Sequence, residues 1–284
     1  MNGVFFVNKK SGQTSHDVVQ QIKKKFSLLK VGHTGTLDPL AEGLLLILVG
    51  KATKLNFLFD QLDKKYQGTI IFNHEYDTLD VKGKLITTKN QILTDNLMKK
   101  AFAIFHQKKY QQTPPMYSAI KIKGQKLYHL ARKNIQIDIP PQRLVFIYHL
   151  EQISSLKEQT VDFYAHVSKG TYIRSLARDI ASYLSTYGAL SQLCRIAIGP
   201  YQLTQAKDVE QVTLNCLIPA KNFFSNCPQI VLNDYLIKLV KNGIYLDERQ
   251  TITQKPFIVL DNQKKWIAYY EVMGPKQYAP KYFF

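Results

Sequence analysis

Six consecutive apolar residues, Leu44 to Val49, follow directly on the loop Gly32-His33-Thr34-Gly35-Thr36-Leu37-Asp38-Pro39-Leu40-Ala41-Glu42-Gly43. This pairing constrains the fold more than any other feature of the chain. An apolar run of that length reads as a strand enclosed in a core, and it is far too short to span a bilayer. The loop before it is restrained: Pro39 holds Asp38 in extended geometry, and the glycines allow the backbone to approach a neighbour or ligand closely. A carboxylate is thereby presented on a stiff turn at the mouth of a buried strand. Taken alone, an Asp-Pro turn is as a rule structural. The segment is not a P-loop, because Gly-x-x-x-x-Gly-Lys-Ser/Thr is absent.

Around this point strands and helices alternate irregularly. Val4 to Val7 reads as a strand, and Thr14 or Ser15 as the cap of a helix with Val18, Val19, Ile22 and Phe26 on one face. Helical spacing returns at Leu55, Leu58, Phe59 and Leu62, and Tyr66 to Phe72 is extended. Asp77 to Lys84 is a polar loop. Thr94 caps a helix burying Leu97, Met98, Ala101, Phe102 and Phe105; after Thr113-Pro114-Pro115, Met116 to Ile122 reads as strand and Lys126 to Arg132 as a short helix. Val161, Phe163, Ala165 and Val167 alternate with polar residues, the period of a half-buried strand. The clearest helix buries Ile173, Leu176, Ala177, Ile180, Ala181 and Leu184 and is closed by Gly188. Such an order indicates an α+β fold rather than a doubly wound parallel sheet. Composition shifts after about Phe224. Residues 225–284 read as a small, mostly β module with a helix near Leu236 to Val240 and strands at Phe257 to Leu260 and Trp266 to Val272.

The formal net charge of +17, with 17 tyrosines and 15 phenylalanines, suits a polyanionic partner met by phosphate contacts and base stacking. The basic residues are spread along the chain rather than gathered on one amphipathic segment, which disfavours a membrane surface. Cys194, Cys216 and Cys227 are odd in number and lack Cys-x-x-Cys spacing, so neither a disulfide framework nor a structural zinc is expected. No histidine pair has metal-ligand spacing. Met1 to Lys10 has no long apolar stretch of a secretion signal, so the expected compartment is the cytoplasm. Asp77 and Asp80 could suggest a carboxylate pair or a metal site, but the expectation is a solvated turn. Arg174 opens the clearest helix, where the macrodipole disfavours a cation. It is best explained by an anionic partner, either a carboxylate or a phosphate.

At these residues the chain resembles the TruB-type pseudouridine synthases. The Gly32–Gly43 segment is similar to their catalytic loop. Lys64-Lys65-Tyr66, then Pro114-Pro115-Met116-Tyr117-Ser118-Ala119-Ile120-Lys121 with Gly124-Gln125-Lys126-Leu127-Tyr128, then Gly170-Thr171-Tyr172-Ile173-Arg174-Ser175-Leu176, match further family segments in order. The resemblance covers roughly residues 3–205. It implies a pseudouridine synthase catalytic domain over 1–224, α+β with a mixed, largely antiparallel central sheet flanked by helices, and a short, divergent PUA-like RNA-binding module over 225–284. Asp38 would be the catalytic aspartate, Arg174 its partner, and Tyr66 the ring stacked on the target uracil; His33, Tyr172 and Leu193 would line the nucleotide pocket. The implied reaction converts uridine 55 in the TΨC arm of tRNA to pseudouridine. Because that is a redox-neutral isomerisation, no cofactor and no metal are implied. The implied partner is tRNA, the implied state a monomer. Two departures stand out: Asn73-His74-Glu75-Tyr76-Asp77 replaces a stretch that usually carries Gly and Thr, and Cys194 stands where arginine is common. The alternatives are a non-catalytic RNA-binding or tRNA-folding protein on the same fold, and a synthase of a guide-RNA particle.

Overall fold

The computed structural model describes residues 1–118, 120–122, 124–132 and 141–284. The chain opens with β1 (Gly3–Lys9), α1 (Ser15–Lys25), β2 (Val31–Thr34) and β3 (Glu42–Val49), then α2 (Asn56–Asp60), β4 (Lys64–Phe72) and a hairpin of β5 (His74–Tyr76) and β6 (Leu85–Thr88). Next come α3 (Asp95–Phe105), β7 (Lys108–Gln112), the small hairpin β8 (Lys121–Ile122) and β9 (Gln125–Lys126), and α4 (Leu127–Arg132). They are followed by β10 (Arg143–Gln152), β11 (Thr160–Val167), α5 (Ile173–Tyr183) and β12 (Gly188–Ile198). Three two-residue strands, β13 (Tyr201–Gln202), β14 (Lys207–Asp208) and β15 (Ile218–Pro219), lead to β16 (Gln229–Val231), α6 (Asp234–Lys241), β17 (Leu246–Asp247), β18 (Phe257–Leu260), β19 (Trp266–Gly274) and β20 (Gln277–Phe283).

The main sheet runs β14-β1-β3-β12-β4-β11-β10-β7, with β2, β13 and β15 attached beside it. Only β1/β14 and β3/β12 pair in parallel, so the α+β, largely antiparallel expectation holds. The reason for the uninterrupted apolar run is visible in β1 and β3. Phe5, Val7, Leu45, Ile47 and Val49 enter one core with α1, α3 and α5. Val4, Phe6, Leu44, Leu46 and Leu48 enter a second core on the other side. A strand buried on both faces has no polar alternation to keep. That second core is completed by Phe224, Ile258, Leu260, Tyr269 and Tyr282, so the five-stranded C-terminal sheet, in the order β16-β18-β19-β20-β17, shares packing with the central one. No helix among the described residues is long and apolar enough to cross a membrane.

Local signals are read correctly in most places. Thr14, not Ser15, caps α1: its Oγ1 accepts from Asp17 N, and Asp17 Oδ2 accepts from Thr14 N, a reciprocal capping box. Four details differ from the sequence reading. Leu97 lies on the exposed side of α3. Met116 to Ile122 is a bend with only Lys121–Ile122 as strand, because the backbone turns back to hydrogen-bond α4; Ala119 lies outside the described residues. Helix α5 ends at Tyr183, with Ser185 in the left-handed region; Gly188 instead begins β12, where a Cβ would meet that of Ala181 at 2.6 Å. Strand β12 itself, between β3 and β4, has no counterpart in the sequence reading. Its apolar residues are interrupted by Ser191, Gln192 and Arg195, and its pairing with β4 shifts register twice, which erases the period.

Candidate active site

The Asp38 loop is held from below by the β1–α1 turn. Ser15 Oγ donates to Leu37 O at 3.2 Å and accepts from Leu37 N at 2.9 Å. Ser11 Oγ donates to Leu40 O at 2.8 Å, and Gly12 N to Pro39 O at 2.8 Å. Ala41 N closes a turn on Asp38 O at 3.1 Å. The backbone on both sides of Asp38 is thus fixed, while its side chain remains 36 % exposed.

Arg174 meets that side chain from the first turn of α5. Its Nη2 donates to Asp38 Oδ1 at 2.8 Å and to Tyr117 O at 2.9 Å, and its Nη1 donates to Thr78 O at 2.7 Å. The guanidinium is enclosed, and its Nε has no hydrogen-bond partner among the described residues. The anion demanded by a cation at a helix N-terminus is therefore a carboxylate. A second one stands behind it, with Asp80 Oδ2 at 3.7 Å from Arg174 Nη1. This corrects the reading of Asp80 as a solvated turn residue. The 77–84 loop folds inward, Leu79 and Val81 exchange backbone hydrogen bonds with Leu190 in β12, and Asp80 is buried. Burial pushes the Asp80 carboxyl upward, against the pull of Arg174 and of donors from Thr78 and Lys82. Asp77 does stay at the surface, where Tyr117 Oη reaches its Oδ2 at 3.4 Å.

The remaining residues singled out from the sequence surround this pair at different removes. Tyr66 is buried in β4, directly opposite Arg195 of β12. Leu193 lies two residues earlier on the same face of β12. It lines a cavity of about 550 Å³ with Ser11, Leu40, Glu42, Gln67 and Thr69. The cavity adjoins the loop through Leu40, but Asp38, Tyr66 and Arg174 are not among its walls. Tyr172 caps α5; Gln112 takes both its backbone groups, Oε1 accepting from Tyr172 N at 2.9 Å and Nε2 donating to Tyr172 O at 3.2 Å. Its phenol is held protonated by burial. His33 sits on β2, with a buried Nδ1 that no described residue satisfies. Burial, and then the charge of Arg195, lowers its proton affinity, so it is a neutral imidazole.

Two cations beside the loop escaped the sequence reading. Lys9 is fully enclosed and gives its Nζ to Lys10 O and Gln13 O; burial lowers its pKa to about 8, opposed by the charge of Asp38. Arg195 is 1 % exposed. The sequence carries little signal for either: Lys9 ends β1 between Asn8 and Lys10, and Arg195 lies in a strand already interrupted by Ser191 and Gln192.

Solved structures place the fold. The chain superimposes on a Cbf5-Nop10-Gar1 complex with TM-score 0.69 at 22 % identity, covering 96 % of this chain and 79 % of that one. A structure titled as an H/ACA RNP bound to a substrate RNA containing 2'-deoxyuridine gives 0.69 at 20 % identity, covering 99 % of this chain and 85 % of the other. The chain therefore shares the fold of these proteins. Sequence comparison is more specific. Residues 23–173 match the TruB family pseudouridylate synthase N-terminal domain. A protein named tRNA pseudouridine synthase B from Aster yellows witches'-broom phytoplasma is 63 % identical over the whole of both chains. Its namesake from Acholeplasma laidlawii is 54 % identical, again over the whole of both. The namesake from Aquifex aeolicus is 36 % identical over 83 % of each. The chain belongs to the TruB family of pseudouridylate synthases.

Proposed function

We propose that this protein isomerises uridine to pseudouridine in tRNA, that its target is uridine 55 of the TΨC loop, and that Asp38 is the reactive carboxylate. The observation that carries the role of Asp38 is its 2.8 Å contact with the enclosed Arg174. A charge-assisted bond from a guanidinium keeps a carboxylate ionised and oriented. Asp38 alone of the two carboxylates on Arg174 keeps a face open to an incoming substrate. The uridine must leave its loop and enter the protein, as bases do when chemistry is performed on them. There the N1–C1′ bond breaks, the uracil turns, C5 joins C1′, and the proton displaced from C5 is balanced by one gained at N1. A carboxylate so placed can attack the ribose or the ring, or remove a proton. Tyr66 offers a ring for stacking, with His33, Tyr172 and Leu193 as further walls of the nucleotide pocket. The reaction neither gains nor loses electrons, so this chemistry requires no redox cofactor.

The relatives named tRNA pseudouridine synthase B support the substrate. We further propose that the protein acts as a cytoplasmic monomer and that residues 225–284 add RNA affinity. The exposed lysines Lys264 and Lys265 support the latter. Two further lysines of this module are engaged, Lys276 with Glu248 and Lys281 with Glu271, which weakens them as phosphate contacts. The test is to map pseudouridine in unmodified tRNA after incubation with purified protein, with and without EDTA. Pseudouridine at position 55 in both is the expected result. No new pseudouridine overturns the enzymatic reading in favour of RNA binding alone. Loss of activity with EDTA, on tRNA that stays folded, overturns the metal-free chemistry.

A further inference from the structure

Among the described residues Arg195 is the largest fully buried side chain, and no carboxylate stands within ion-pairing distance of it. Burying an unpaired guanidinium is costly, and an apolar side chain would serve simple packing better. What it touches accounts for it. Nε donates to Leu44 O at 2.9 Å and Nη2 donates to Gly35 O at 2.7 Å. These two carbonyls bracket the loop that carries Asp38. The two glycines at the ends of the bracket are shaped by the same residue. Gly35 has φ +67°, and a Cβ there would lie 3.3 Å from Arg195 Nη1. Gly43 has φ +103°, and a Cβ there would lie 2.4 Å from the Arg195 carbonyl oxygen. On its other side the Arg195 backbone pairs with Tyr66. One residue therefore joins both ends of the Asp38 loop to the strand bearing Tyr66.

We propose that Arg195 is a positioning residue for the isomerisation: by clasping Gly35 and Leu44 it sets the Asp38 carboxylate at a fixed place relative to Tyr66. The inference rests on the reading of Asp38 as the reactive group. Arg195 itself is enclosed and has no route to the substrate except through the loop it holds.

Arg195→Met keeps an unbranched apolar stem suited to a buried site but removes both donors. Arg195→Lys keeps the charge and one donor. Displacing a reacting group by about 1 Å costs on the order of 10²-fold in rate. The expected result is a loss of about that size in single-turnover pseudouridine formation at saturating Arg195→Met, with tRNA affinity and melting temperature little changed. Arg195→Lys should recover part of the rate. In the double variant with Asp38→Asn, Arg195→Met should add no further loss, as expected for groups acting as one unit. A folded Arg195→Met protein turning over at the wild-type rate overturns the proposal; if that variant does not fold, a wild-type rate in Arg195→Lys does so. A rate loss matched by weaker tRNA binding also overturns it. The two failures are separable: an active Asp38→Asn protein overturns the reading of Asp38, whereas an inactive one beside fully active Arg195 variants overturns only the clasp.

Discussion

The central sheet encloses Lys9, Asp80, Arg174 and Arg195, whereas the C-terminal five-stranded sheet, among its described residues, encloses no charged side chain at all. Its interior is aromatic and aliphatic: Tyr270, Tyr278 and Phe257 lie within one cluster, and Phe224, Tyr269 and Tyr282 join it to the core of the central sheet. Phe257 stacks on Tyr270 at 5.6 Å, and Phe224 meets Tyr269 at 4.8 Å. Packing of this kind stabilises directly. Buried charge is retained at a cost and gives back little stability unless it is fully paired. The contrast teaches that the four enclosed charges are explained by the Asp38 loop, which three of them contact or approach, and not by the needs of the core.

The comparison is sharpest where chemistry and folding should separate. Asp38→Asn is nearly isosteric and removes the charge without emptying space. It should slow single-turnover pseudouridine formation by roughly 10⁴-fold, about 5.5 kcal/mol of barrier, with melting and tRNA binding retained. A large fall in melting temperature with only proportionate loss of activity would make Asp38 a turn residue and break the contrast. Phe224→Ala is the converse. It empties the joint between the two sheets and should cost about 3–5 kcal/mol of stability in chemical denaturation, while the folded fraction keeps its turnover at saturation. Because the joint is shared, a truncation before residue 225 would expose the second core, so point variants are the cleaner probe of the module.

Arg174→Lys keeps the charge but loses the planar fork that serves Asp38, Thr78 and Tyr117 together. Turnover at saturation should fall roughly 100-fold, about 2.7 kcal/mol, with tRNA affinity nearly intact. Loss of affinity with turnover preserved would instead assign Arg174 to a phosphate. The smallest effect is in the pH dependence of stability, where the buried lysines and the buried tyrosines should act with opposite signs. Lys9 and Lys64 are lowered by burial from 10.5 to about 8. Between these values the unfolded chain binds more protons than the native one, so stability rises with pH by about 1 kcal/mol or more across that window. Burial raises the Tyr269 phenol to about 12 and displaces Tyr270 and Tyr282 in the same direction. Above pH 10 the native state keeps protons that the unfolded chain releases, so stability falls. Denaturation midpoints between pH 7 and 12 check both slopes. Lys9→Met should flatten the rise and Tyr269→Phe the fall; a Lys9→Met profile identical to wild type would mean that Lys9 is not desolvated.

Whatever depends on near neighbours was legible in the sequence. The helical faces of α1 and α5, the cap at Thr94, the alternation of β11 and the buried run of β3 all follow from side-chain periods and backbone chemistry within about ten residues. Asp38 was legible in another way, because its restraints, Pro39 and the glycines, lie beside it in the chain. Its pairing with Arg174, across 136 residues, came from matching family motifs and from the misfit of a cation at a helix N-terminus; no local pattern contains it. The tertiary structure alone decided that Asp80 turns inward, that β12 lies between β3 and β4, that Arg195 ties Gly35 to Leu44 across 160 and 151 residues, and that Phe224 packs in the core the two sheets share. Each of these depends on which strands become neighbours. A polar residue in a strand has the same local signature whether it faces water or closes on a carbonyl from a distant loop, and only the assembled sheet distinguishes the two.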